Sequence, residues 1–170
     1  MNLDDALKFI LNNVKSNPSW ELIDSKKSLG RILAESLKST KNIPPFNNSQ
    51  VDGYAVNSSD LFAAPLPVSQ RIPAGSKGVF LENLTAARIF TGALIPENAD
   101  AVVMQEDVEL VNGRVMFKNK IKPDQNIREK GCDLKKNQIF FKKGRILSSA
   151  DVGMCSSVGL EKVSVFKKIK

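Results

Sequence analysis

Two adjacent prolines, Pro44 and Pro45, open the stretch that most constrains this chain. It runs Pro44-Pro45-Phe46-Asn47-Asn48-Ser49-Gln50-Val51-Asp52-Gly53-Tyr54-Ala55-Val56. The prolines fix φ and stop a helix from running through. Asn47, Asn48 and Ser49 are residues that bond their own backbone in turns. Asp52-Gly53 is a turn pair in which Gly53 can take φ > 0. Tyr54-Ala55-Val56 then starts a strand. The stretch therefore holds a carboxylate on a tight polar loop at the mouth of a strand. Loops on a rigid frame often carry function. An ordinary hairpin turn, in which Asp52 serves only the turn, fits the same residues.

The 170 residues suffice for one domain or two small ones. There is no histidine, and the cysteines are Cys132 and Cys155. Ser-His and Cys-His nucleophiles are therefore excluded within the chain. Two thiols cannot assemble the usual zinc site. They are expected to be free and buried rather than bridged. Acid–base work falls to Asp, Glu, Lys or Tyr. A formal net charge of +7 favours anionic partners. Met1-Asn2-Leu3-Asp4-Asp5 lacks the basic start of a signal peptide, and no apolar run approaches a membrane span. The expected location is cytoplasmic, with no membrane partner.

Leu3, Leu7, Ile10, Leu11 and Val14 recur at helical spacing. Asn2 is the expected N-cap, Pro18 the stop, and the apolar stripe is expected to pack on the rest of the molecule. Asp24 to Gly30 reads as a short capped helix, and Arg31 to Leu37 as a strand. Leu66 to Ser69 reads as an edge strand, because Pro67 is tolerated there. Val108 to Leu110 and Arg114 to Phe117 flank Asn112-Gly113, a strong hairpin signal. Gln138 to Phe141 and Arg145 to Leu147 read as a second hairpin. Ser148 and Asp151 form a capping-box pattern, and Gly159 ends that helix. Val163 to Phe166 is the final strand.

Three stretches resemble a known family. The first is similar to Pro-x-Phe-Asp-Asn-Ser-x-Met-Asp-Gly-Tyr-Ala-Val of the MoeA family, the molybdopterin molybdenumtransferases. Asn47 stands where the family has its first Asp. The second, Ala87 to Glu106, resembles Arg-Ile-Met-Thr-Gly-Ala-x-x-Pro-x-Gly-Ala-Asp-Ala-Val-Val-Met-Gln-Glu, with Phe90 in place of Met and Asn98 in place of Gly. The third, Gln125 to Leu134, resembles Asn-Ile-Arg-x-x-Gly-Glu-Asp, with Cys132 in place of Glu. On residue chemistry alone, Thr91 could address a ligand or its own loop backbone. Arg128 and Asp133 could bind an oxyanion or form a plain salt bridge.

The resemblance implies the family's N-terminal region: mainly β, complex coiled sheets with a few helices, one part inserted in another. Residues 1–45 and 140–170 would form the first part and residues 46–139 the inserted one. It implies insertion of molybdenum from molybdate into adenylylated molybdopterin, with magnesium present, at a site completed by the partner protomer's pterin-binding domain. Asp52, Thr91, Arg128 and Asp133 are the implied catalytic residues, and Ser49, Gly92 and Pro96 the implied cofactor-binding ones. Which residues ligate magnesium is left open. The implied partners are a second copy and the adenylating protein of the preceding step. The pterin-binding segment and closing β-barrel are absent from this sequence, so the chain alone is expected to be inactive. A non-enzymatic dimerisation module is the alternative. A nucleic-acid binder is disfavoured, because the lysines are scattered.

Overall fold

The computed structural model describes residues 2–13 and 19–168. Its elements, in chain order, begin with α1 (Leu3–Asn13), β1 (Trp20–Asp24), β2 (Leu37–Lys38), β3 (Asn48–Ser49), β4 (Gly53–Val56), β5 (Leu66–Ile72) and β6 (Ala86–Ile89). They continue with β7 (Ala101–Met104), β8 (Val108–Val111), β9 (Arg114–Phe117), β10 (Ile127–Arg128), β11 (Ile139–Phe141), α2 (Ser149–Ser157) and β12 (Lys162–Phe166). The chain is mainly β. It divides into two compact units, Met1–Thr40 with Asn137–Lys170, and Lys41–Lys136.

The second unit is built on a six-stranded sheet in the order β7-β4-β6-β5-β9-β8. Only β5 and β6 run parallel among these neighbours. β4 is buried along its whole length, and β6 and β7 nearly so, which is why these strands read as near-continuous apolar runs; β5, β8 and β9 keep exposed residues. Alternate residues feed two cores. Tyr54, Val56, Leu66, Val103 and Val115 face one. Ala55, Ile72, Ala87, Ile89 and Val102 face the other. Gly53 belongs here for a reason other than turn chemistry. Its φ is not positive. Instead, a Cβ at this position would sit 1.9 Å from the Val103 carbonyl oxygen. The absence of a side chain lets β4 approach β7.

The expected hairpin at Asn112-Gly113 forms, with both residues at positive φ. β5 is an interior strand, not an edge. Pro67 lies before the pairing with β6, which begins at Val68, so its missing N–H costs no bond of that ladder, and on its other side it stands opposite Arg114 of β9.

In the first unit, β1 pairs antiparallel with β12; β1 was not foreseen from sequence. Arg31 to Leu37 is no strand, and 138–147 is no hairpin. β11 pairs with β2, Ile32 bridges Ile146, and the Leu33 amide donates to Arg145 O. The two segments thus pair with each other across more than a hundred residues, which outcompetes the local turn. The Ser148–Asp151 capping box is present, and Gly159 takes φ 77°.

Asn2 caps α1, its Oδ1 accepting from the Asp5 amide at 2.8 Å. Val14 and Pro18 lie outside the described residues. The apolar stripe does not pack inward: no α1 residue is buried, and Leu3, Leu7, Phe9, Ile10 and Leu11 are exposed. Nor are both thiols buried: Cys155 is, whereas Cys132 is exposed. Both are free.

Candidate functional site

The three motif stretches meet on one seam in the second unit. Asn47 to Ser49 is its middle segment. On one side, Ser49 accepts from the Gly92 amide and donates to Ala93 O, both at 2.9 Å, and the Ile95 amide donates to Asn47 O. On the other side, β3 pairs with β10, placing Ser49 opposite Ile127 and Asn48 opposite Arg128. The Gln50 amide donates to Asn126 O. The Asn47 side-chain oxygen accepts from the Lys130 amide at 2.8 Å. The Gly131 and Asp133 amides donate to Pro44 O and Ile43 O. Backbone polar groups of a loop need partners. Here each motif satisfies the others, so none holds its shape alone.

Asp52 is half-buried between β3 and β4. Its Oδ1 accepts from both the amide and the hydroxyl of Thr91, each at 2.8 Å. The Thr91 amide, then the Thr91 hydroxyl, hold this carboxyl below its ordinary 3.8; partial burial opposes them, and Arg88 assists. Asp52 is therefore an anion at neutral pH. Thr91 is exposed, but its proton is committed to Asp52 rather than to the loop backbone. It positions the carboxylate.

Arg128 Nη2 donates to Asp133 Oδ2 at 2.5 Å, and both side chains are about half exposed. The neighbouring Cys132 sulfur, then Asp133, push the guanidinium above its ordinary value. The exposed Cys132 thiol donates to Asp133 Oδ1. Arg128 keeps further N–H donors for a ligand.

The other three implied residues are divided. Ser49 is buried and donates its hydroxyl to Val51 O at 2.6 Å. Pro96 is buried, and its carbonyl accepts from Ala99. Both shape the loops from within. Gly92 is exposed at φ 80°, the left-handed conformation that glycine supplies. The structure thus joins Asp52 with Thr91, and Arg128 with Asp133. Among the described residues no hydrogen bond or ion pair links the two pairs; the loops that carry them meet at the Asn48–Ser49 segment.

Arg88 on β6 was missed. It donates to Gly53 O at 2.9 Å and Gln105 Oε1 at 2.6 Å, and stacks on Phe90 and Tyr54. Its position three residues before Thr91 was the available signal. A cleft of about 340 Å³ flanks the seam, lined by Phe46, Asn47, Lys77, Leu94, Ile95 and Glu97. Among the described residues, no group of three or more His, Cys, Asp or Glu side chains could hold a metal. Magnesium commonly takes one or two carboxylates and completes its shell with substrate oxygens and water. Asp52, whose Oδ2 has no described hydrogen-bond donor, fits as one such ligand.

A sequence profile of the MoeA N-terminal region (domain I and II) matches residues 1–159. The chain is similar to a molybdopterin molybdenumtransferase of Haemophilus influenzae, at 37% identity over all of this chain and 43% of that protein. It is 33% identical to gephyrin of Dictyostelium discoideum, over 94% of this chain and 24% of that one. A crystal structure of a molybdopterin biosynthesis MoeA protein from Pyrococcus horikoshii OT3 superposes with a TM-score of 0.88, at 34% identity, over 97% of this chain and 45% of that one. The chain thus spans less than half the length of these relatives.

Proposed function

Because this chain belongs to the family of the MoeA N-terminal region, we propose that it supplies one wall of a molybdenum-insertion site. The whole enzyme would transfer molybdenum from molybdate to adenylylated molybdopterin. The pterin-binding domain of a partner protomer would face this wall, and an adenylating protein would deliver the substrate in the cytoplasm. No helix among the described residues is long and apolar enough to cross a membrane.

The observation that carries this reading is the seam. Three stretches far apart in sequence meet there, presenting an anionic Asp52 and a cationic Arg128 from one framework. Molybdate and the pterin phosphate are anions. Arg128 binds and orients such a group without titrating. Asp52, ionised and aimed by Thr91, accepts a proton or serves as a magnesium ligand. When bound, magnesium would neutralise charge on substrate oxygens. Asp133 fixes the Arg128 guanidinium. The exposed stripe of α1 supports a homodimer, and it is also what a pure dimerisation module would show.

The test is Asp52→Asn in the assembled enzyme, followed by molybdenum insertion. The expected loss is roughly 100–1000-fold, typical of removing a preorganised polar group. Full insertion by the variant would reduce Asp52 to a turn residue and favour the dimerisation module.

A further inference from the structure

A second arrangement lies beside Asp52 and is explained neither by packing nor by the seam. In the β5–β6 pairing Arg71 stands directly opposite Arg88. Register partners on adjacent strands share a face and lie about 4.8 Å apart in backbone. Two like charges so placed repel. Yet among the described residues neither arginine is in an ion pair. Both guanidiniums instead lie against one ring: the Cζ atoms of Arg88 and Arg71 are 4.5 and 4.9 Å from the Phe90 centroid. Phe90 stands where the resemblance has Met, so this ring is a feature of this chain.

The consequences are specific. Arg88 is fixed by Gly53 O and Gln105 Oε1. Arg71 is exposed, and its described contact is the ring alone. Stacking engages a guanidinium through its face. Arg71 has no described hydrogen bond from its edge, and Arg88, which gives one Nη1 and one Nη2 hydrogen to Gly53 O and Gln105 Oε1, keeps three of its five N–H donors. The remaining donors of the two arginines, on neighbouring strands, match an oxyanion with several acceptor oxygens. An anion there would also remove the repulsion. We propose that Arg71 and Arg88, held on Phe90, bind a tetrahedral oxyanion next to Asp52 and Thr91. The ligand is either a phosphate group of a larger molecule or a free metal oxyanion such as molybdate. The site is read from this geometry and does not require the insertion activity.

The test uses this chain, with arginine Nε–H resonances followed by NMR at constant ionic strength. Separate titrations use inorganic phosphate, tungstate (a stand-in for molybdate) and chloride. The Arg71 and Arg88 signals should move saturably with phosphate or tungstate and not with chloride. Arg71→Gln should weaken that binding about tenfold or more, and Arg71→Lys should restore part of it. Lys162→Gln, at an exposed cation on β12 that belongs to the first unit, should leave it unchanged. The stronger ligand tells a phosphorylated molecule from a free metal oxyanion. Unmoved resonances, an equal response to chloride, or wild-type binding by Arg71→Gln would overturn the proposal. Asp52→Asn tests the insertion reading separately, since loss of insertion with retained binding at Arg71 would uphold both.

Discussion

Two Arg–Asp pairs among the described residues look alike in sequence and differ in how their carboxylates are held. Arg145 and Asp151 are six residues apart, and Arg128 and Asp133 five. Asp151 is 6% exposed and takes two bonds from Arg145, at 2.9 and 3.0 Å. It also accepts from the Ser148 amide, closing the capping box of α2. Arg145 and then the Ser148 amide hold its carboxyl at about 2. Arg128 and Asp133 share one bond and are both about half exposed. Screening leaves such a pair little stabilising value. A pair whose carboxylate is buried and fully bonded organises structure, whereas an open one retains donors for something else. Seen this way, the first pair holds a helix, and the second has capacity left for a ligand.

The largest stability effect should follow Asp151→Ala. It removes a capping partner and leaves Arg145 without its acceptor. The expected loss is about 2 kcal/mol in chemical denaturation. Insertion per folded molecule should stay unchanged, and a selective loss of activity would give Asp151 a role beyond holding α2.

A pH series sharpens it. Asp151 has a depressed value, so its contribution is complete above its ordinary 3.8 and is lost as pH falls through about 2. Stability measured across that window should fall more steeply for the wild type than for Asp151→Asn. Equal slopes would mean that the pair does not hold the helix.

The smallest effect is expected for Asn47→Asp, which restores the family residue. A carboxylate oxygen can accept from the Lys130 amide as the amide oxygen does. Stability should change by no more than about 0.5 kcal/mol. A large change would show that this position does more than hold the third loop.

Signals confined to a few residues were legible in the sequence. The Asn112-Gly113 hairpin, the Asn2 cap and the Ser148–Asp151 box each follow from local chemistry. Features that depend on distant partners were not. Gln138 to Leu147 has the residues of a hairpin, yet pairs with 31–38. Gly53 suggested a turn and proved to be a close approach between strands. The stripe of α1 gives helix phase but not what covers it. The motifs named Asp52 and Thr91 separately, whereas their hydrogen bonds appear only in the fold. Arg71 and Arg88 escaped notice because register alone makes them neighbours.

On the proposed function, Arg128 serves substrate rather than structure. The most direct measurement is molybdenum insertion by the assembled enzyme carrying Arg128→Gln, with thermal unfolding followed on the same sample. Insertion should fall roughly 100-fold or more while the melting temperature stays at the wild-type value. Retained insertion, or a loss that tracks unfolding, would place Arg128 with Arg145 as a structural residue and leave the seam without a cation for substrate.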